Sequence, residues 1–142
     1  MGRPSEFTQD RADQICARLA DGESLRTVCL SEEMPDKATV FRWLRSMQSF
    51  CDQYTRAKAE AADAFAEDML DIADDGTNDW RERDTGGVEV NGDHIQRSRL
   101  RIETRKWLAS KLKPKKYGEK LEHTGTVELA LSDRMRTVLG EQ

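Results

Sequence analysis

Between residues 8 and 48 the apolar positions fall into three short helical periods. Ala12, Ile15, Cys16 and Leu19 recur at spacings of three and four, which predicts one buried helical face. Thr8 stands where a capping hydroxyl is wanted, and Asp21-Gly22 supplies a stop, because glycine takes the left-handed position that ends a helix at no steric cost. Ser24 is placed to cap a second helix carrying Leu25, Val28 and Cys29. Glu33-Met34-Pro35-Asp36 then interrupts the pattern: a proline disfavours helix at the residue before it, and Asp36 is a cap for the next helix. That third helix is expected from Lys37 to about Arg45, with Val40, Trp43, Leu44 and Met47 inward.

The next period is much longer. Phe50, Tyr54, Ala57, Ala61, Phe65, Met69 and Ile72 form one stripe from about Ser49 to Ala73, bordered by Asp52, Glu60, Asp63, Glu67, Asp68 and Asp71. A helix of about 25 residues spans roughly 37 Å, more than a small domain needs, so the stripe requires a partner helix or a second subunit. Residues 74–93 are rich in Asp, Gly and Asn, with Gly86-Gly87 and Asn91-Gly92 as turn signals. Val88-Glu89-Val90 is a candidate strand or hairpin arm between them. From Asp93 another helix is expected to reach about Leu112 with Ile95, Ile102, Leu108 and Leu112 apolar, ended by Pro114. Residues 117–131 read as extended chain, Val127, Leu129 and Leu131 alternating with Glu128 and Ala130. One or two strands are not stable alone, so pairing with other copies is expected. Ser132 to Leu139 offers a short amphipathic turn with Met135, Val138 and Leu139.

This pattern predicts a mainly α chain in four parts: a helix-turn-helix domain (1–48), a long-helix segment (49–113) whose stripe needs a partner helix or a second subunit, a β-strand segment (114–131) and a tail (132–142). Charge sharpens the division. The net charge of −4 conceals a gradient: seven basic and eight acidic residues over 1–48, four and thirteen over 49–93, twelve and six over 94–142. A sequence pI of about 5.3 therefore does not exclude nucleic acid, because binding depends on a local basic face. Arg97, Arg101 and Arg105, spaced by four with Arg99 and Lys106 beside them, make a basic ridge. It can serve a salt-bridged helical hairpin or face DNA. Lys111, Lys113, Lys115 and Lys116 form a separate basic cluster beside Tyr117.

With Val40, Trp43, Leu44 and Met47 inward, 100° per residue turns Ala38, Arg42 and Arg45 outward and leaves Phe41 on a flank. Helix-turn-helix modules lay their second helix in the major groove with its first residues at base edges. Lys37, Thr39, Arg42 and Arg45 are accordingly the candidate DNA contacts, Arg26 a backbone contact, and Arg3, in Gly2-Arg3-Pro4, the start of a minor-groove arm. Chemistry of other kinds finds little purchase. There is no GxxxxGK[ST] loop, which excludes ATP hydrolysis of the P-loop kind. His94 and His123 stand apart from other ligands, which argues against zinc. Asp63, Glu67 and Asp71 share a helical face that in principle suits Mg²⁺ but reads more simply as solvated or salt-bridged. No nucleophile–base pair is evident, so no enzyme activity and no cofactor are expected. Cys16, Cys29 and Cys51 are widely spaced and read as reduced thiols. No apolar run approaches a membrane span, and no signal segment is expected.

Gly22-Glu23-Ser24-Leu25-Arg26, Asp36-Lys37-Ala38-Thr39-Val40-Phe41-Arg42-Trp43-Leu44, Phe50 to Tyr54 and Ala57 resemble the N-terminal module of tailed-phage terminase small subunits. The similarity is to those of short-tailed, headful-packaging phages. Lys113-Pro114-Lys115-Lys116-Tyr117-Gly118-Glu119-Lys120 resembles the same family near its C-terminal end. The resemblance implies an N-terminal helix-turn-helix domain, a central long-helix hairpin for oligomerisation (49–113), a C-terminal β-barrel built from several subunits and a ring of about eight to eleven copies. It implies double-stranded viral DNA and the terminase large subunit as partners, in the cytoplasm of the infected bacterial host; the C-terminal tail, 132–142, is the candidate dock for the large subunit. A dimeric transcription regulator, the DNA-binding module of a recombinase, and a virion connector are the alternatives.

Overall fold

The computed structural model describes residues 2–119 and residue 140. In chain order the elements are α1 (Gln9–Ala20), α2 (Leu25–Val28), α3 (Lys37–Ser46), α4 (Gln48–Asp74), β1 (Trp80–Glu82), β2 (Val88–Val90), α5 (Gly92–Leu112) and α6 (Pro114–Tyr117). The fold is mainly helical. No described helix is long and apolar enough to cross a membrane.

Each of the first three helices starts on its expected cap. Thr8 accepts from the Arg11 amide, Ser24 from that of Thr27, and Asp36 from that of Thr39, satisfying donors that have no partner inside the helix. At the end of α1 the Gly22 amide donates to Leu19 O and the Glu23 amide to Arg18 O, with Gly22 at φ 98°. That pair of reversed bonds closes the helix and needs a residue with φ > 0. The same glycine lets α1 end against α4: a Cβ there would lie 3.3 Å from the Phe65 ring. Arg18 braces the next turn, gripping Glu23 through two 2.8 Å bonds and donating to the Ser31 hydroxyl.

Two cores share α4. The first joins α1–α3 to its N-terminal half through Ala12, Ile15, Leu19, Val28, Met34, Val40, Trp43, Phe50 and Ala57. Phe7, ahead of α1, completes it by meeting Trp43 edge-on at 5.3 Å and Phe50 at 5.8 Å. Edge-to-face aromatic pairs of this kind add about 0.5–1.5 kcal/mol beyond the area they bury. The second core is the antiparallel α4–α5 pair. Ala61, Ala62 and Ala109 are buried there, and small side chains let two helix backbones approach closely. The apolar stripe of α4 is not fully consumed: Phe65, Met69 and Ile72 are half-buried.

The 74–93 connection forms a two-stranded antiparallel hairpin, Trp80 opposite Val90 and Glu82 opposite Val88, turning on Gly86 and Gly87, both with positive φ. Arg81 and Arg83 clamp Glu89 on one face, while Trp80, Val88 and Val90 are exposed on the other. The segment expected as strand over 114–131 enters the described residues only at 114–119, and there it departs from expectation. Pro114 ends α5 but opens a further turn, α6, because a first-turn proline forfeits no helical hydrogen bond. The expected strands beyond residue 119, and the 132–142 tail apart from Gly140, lie outside the described residues.

Asp63 on α4 holds α6 in place. Its carboxylate accepts from Lys113 Nζ (2.8 Å), Lys116 Nζ (2.9 Å) and the Tyr117 hydroxyl (2.7 Å). Those bonds, Lys113 first, then Tyr117 and Lys116, hold the carboxyl well below the usual carboxylate range. A depressed folded-state value stabilises above the unfolded carboxylate pKa of about 3.9 and loses that stabilisation as pH falls toward the folded value. Protection of the amides between Lys113 and Tyr117, measured as exchange relative to the intrinsic rate at each pH, is therefore expected to fall on acidification below about pH 4. In Asp63→Asn the same amides should exchange faster at neutral pH and lose this acid dependence; hydrogen-exchange mass spectrometry across pH reads both.

Candidate nucleic-acid interface

The N-terminal end of α3 gathers charge around a capped helix start. Asp36 Oδ1 accepts the Thr39 amide at 2.8 Å. That bond, then one from the Thr39 hydroxyl, then the nearby Arg3 and Arg42 guanidinium groups lower its carboxyl below the ordinary value. Lys37, Ala38, Phe41, Arg42 and Arg45 of α3 are all exposed; the helical period turned Ala38, Arg42 and Arg45 outward and left Phe41 on a flank. The Lys37 ammonium lies 6.0 Å from the centre of the Phe41 ring, at the limit of a cation–π contact.

The segment before α1 lies strapped over this unit. Arg3 donates to the Cys29 carbonyl at 2.6 Å, and Arg42 donates to the Ser5 carbonyl at 3.2 Å. Arg3, expected as the start of an arm in Gly2-Arg3-Pro4, is held here at the turn by its bond to Cys29. Each guanidinium keeps further N–H donors for an anion. Arg26 is exposed on α2. Thr39 is only 9% exposed, and its amide donates to Asp36, so it is part of the cap of α3. Arg3, Lys37 and Arg42 are brought together around the helix start, and Arg45 continues their line one turn on.

Sequence reasoning missed Phe7 and the Ser5 carbonyl as fixtures of this unit, since a lone aromatic before a cap carries no periodic signal. It also missed Leu30, 69% exposed in the turn. Cys16 and Cys29 are buried; burial pushes the Cys16 thiol up to about 11, so the reactive thiolate is scarce. The carboxylates of Asp63, Glu67 and Asp71 do not form a cation site: Asp63 is committed to α6, and among the described residues no group of three potential ligands gathers. The basic ridge divides. Arg105 turns inward to Asp68 at 3.2 Å, the salt-bridged hairpin alternative, whereas Arg97, Arg99, Arg101 and Lys106 are exposed.

Residues 7–124 match the family described as Bacteriophage Sf6, terminase small subunit-like. The chain belongs to this family of terminase small subunits. Solved structures of single-residue variants of gp1, the terminase small subunit of the bacterial virus Sf6, are similar throughout. Two are 35% identical, with TM-scores of 0.68 and 0.69, and a third is 34% identical at 0.69. Each comparison covers 91% of this chain and 95% of the other. No curated protein sequence matches. Terminase small subunit membership makes the role a packaging-related, DNA-binding one, and it accounts for an exposed arginine-bearing helix on an otherwise acidic chain.

The cap is the local element on which that helix depends. Asp36→Ala should lower the melting temperature and fray the first turn of α3, whereas Asp36→Asn, which keeps a capping oxygen, should stay near wild type. Thermal melts followed by circular dichroism decide between these outcomes.

Proposed function

We propose that this terminase small subunit reads viral DNA at the packaging site through a helix-turn-helix formed by α2, the 29–36 turn and α3. The observation that carries the reading is the continuous exposed face Lys37–Ala38–Phe41–Arg42–Arg45 on a helix whose start is capped and strapped. Arg42 and Arg45 reach base edges or phosphate from one side of α3. Lys37 and Arg3 lie at the helix start, and Arg26 on α2 is an outer backbone contact. Phe41 supplies an apolar surface for a thymine methyl.

One such module neutralises few phosphates and binds weakly at physiological salt. A ring of about eight to eleven copies raises the effective concentration of the others once one is engaged. The half-buried stripe of α4 and the apolar residues exposed on α5 support an assembly in which neighbouring copies complete the burial. The protein acts without chemistry of its own, in the cytoplasm of the infected host, recruiting and regulating the large subunit that carries the ATPase and nuclease. An inter-subunit barrel over 120–131 and a large-subunit dock at 132–142 complete the proposal.

Arg42→Ala combined with Arg45→Ala should weaken binding to packaging-site DNA and reduce the slope of log K against log salt by about two, roughly one for each phosphate no longer neutralised. Fluorescence anisotropy over a salt series measures both; unchanged affinity and slope would move the interface elsewhere. Deleting residues 132–142 should abolish stimulation of the large subunit's ATPase while leaving DNA affinity intact. Full stimulation by the truncated protein would remove the tail from that role.

A further inference from the structure

The segment before α1 is fastened at alternate residues. Arg3 donates to the Cys29 carbonyl at 2.6 Å, Ser5 offers its carbonyl to Arg42 at 3.2 Å, and Phe7 meets Trp43 edge-on at 5.3 Å. Arg11 adds a bond to the Glu6 carbonyl at 3.2 Å. The two outer fastenings reach different elements: Cys29 caps the end of α2, whereas Trp43 belongs to α3 and packs on Phe50. Chain from Arg3 to Phe7 can extend at most about 14 Å, and Pro4 fixes one of its backbone torsions. Ser5 is therefore held between two anchors with little slack.

The strap treats the arginines of this module unequally. Arg26 and Arg45 are exposed and have no hydrogen-bond partner among the described residues. Arg42 is also exposed, yet its guanidinium is tied to Ser5 and lies near enough to Asp36 to help lower that carboxyl. An arginine that docks from free rotation loses side-chain freedom, and a fork oriented beforehand loses less. The bond to Ser5 does not use the fork up. A guanidinium carries five N–H groups; one goes to Ser5, and the rest exceed the two that a guanine edge takes.

We propose that residues 3–7 are a splint on Arg42: the Ser5 carbonyl, held between Arg3 and Phe7, aims the guanidinium for a two-bond base contact. The proposal rests on the DNA reading of α3 above and adds what sets its discrimination between sequences. Ser5 is a positioning residue, and sequence preference depends on a segment outside the helix-turn-helix. Arg45, which has no such brace, supplies charge that any duplex attracts alike. The opposite device, a brake in which Ser5 withholds Arg42 from DNA, fits less well, because most of the fork's donors remain available.

Fluorescence anisotropy on the full-length protein tests this with two duplexes of equal length, one carrying the packaging site and one of scrambled sequence. The readout is the ratio of the two affinities. Arg42→Ala should lower it on the order of ten-fold. Pro4→Gly with Ser5→Gly, both outside the core, frees the strap without changing charge. It should lower the ratio on the order of five-fold and keep the wild-type salt slope. Added to Arg42→Ala, the two glycines should change nothing further, because no fork is left to aim. Deleting residues 2–5 removes the splint outright and, with Arg3, about one unit of slope; the ratio should fall at least as far. A ratio unmoved by the glycines and the deletion, or raised by them, overturns the splint. So does an equal loss from the glycines in the Arg42→Ala background, since the strap would then act through the fold or through a contact of its own. A wild type that binds both duplexes alike, or a ratio indifferent to Arg42→Ala, instead overturns the base-contacting role of α3, and the splint with it.

Discussion

Twenty-seven residues of unbroken helix in α4 extend about 40 Å, and no three-helix cluster can cover such a length. Everything else in the molecule is arranged around that excess. The first half is covered by α1–α3, with Phe50 1% exposed under the Phe7–Trp43 pair. The second half is covered on one side by α5 through alanines, and its remaining sides stay open. One rigid helix thereby belongs to two cores. The position of α3 is tied to the α4–α5 pair by a short link, since α3 and α4 are separated by Met47 alone.

That arrangement explains the division of labour along the chain. The apolar surface of the first core is satisfied internally, which frees the outward side of α3 to carry arginines. The second core is thin: Ala109 is the buried residue of α5 among 21, and Leu70, Leu100 and Trp107 point away from it. A helix pair that buries so little of itself leaves much of its surface open, and here the exposed surfaces are sorted by sign, acidic on α4 and basic on α5.

Much of the fold was legible because its signals are local. Thr8, Ser24 and Asp36 announce their helices within three residues, Gly22 stops α1 at its own position, and the three-and-four spacing from Ala12 to Met47 assigns inside and outside correctly. The candidate interface was legible to the same extent: Arg42 and Arg45 are turned outward by simple helical arithmetic. What escaped depends on contacts far apart in sequence. Thr39 faces outward or inward according to where the Asp36 side chain and the core sit, which a periodic count does not resolve at a first turn. Asp63 reads as one more acid on an acidic helix until residues 50 to 54 positions away converge on it. Pro114 reads as a stop because its restriction on the preceding turn is visible, whereas the packing that lets it start a new turn is not.

The Asp63 clasp has a geometric consequence. By pinning Lys113, Lys116 and Tyr117 to the middle of α4, it fixes the point at which each chain leaves its helical layer, at Gly118. In any cyclic assembly those departure points share one height and one radius. Equivalent chains would then leave their helical layers at evenly spaced points on one circle, because the same clasp sets the same exit in every copy.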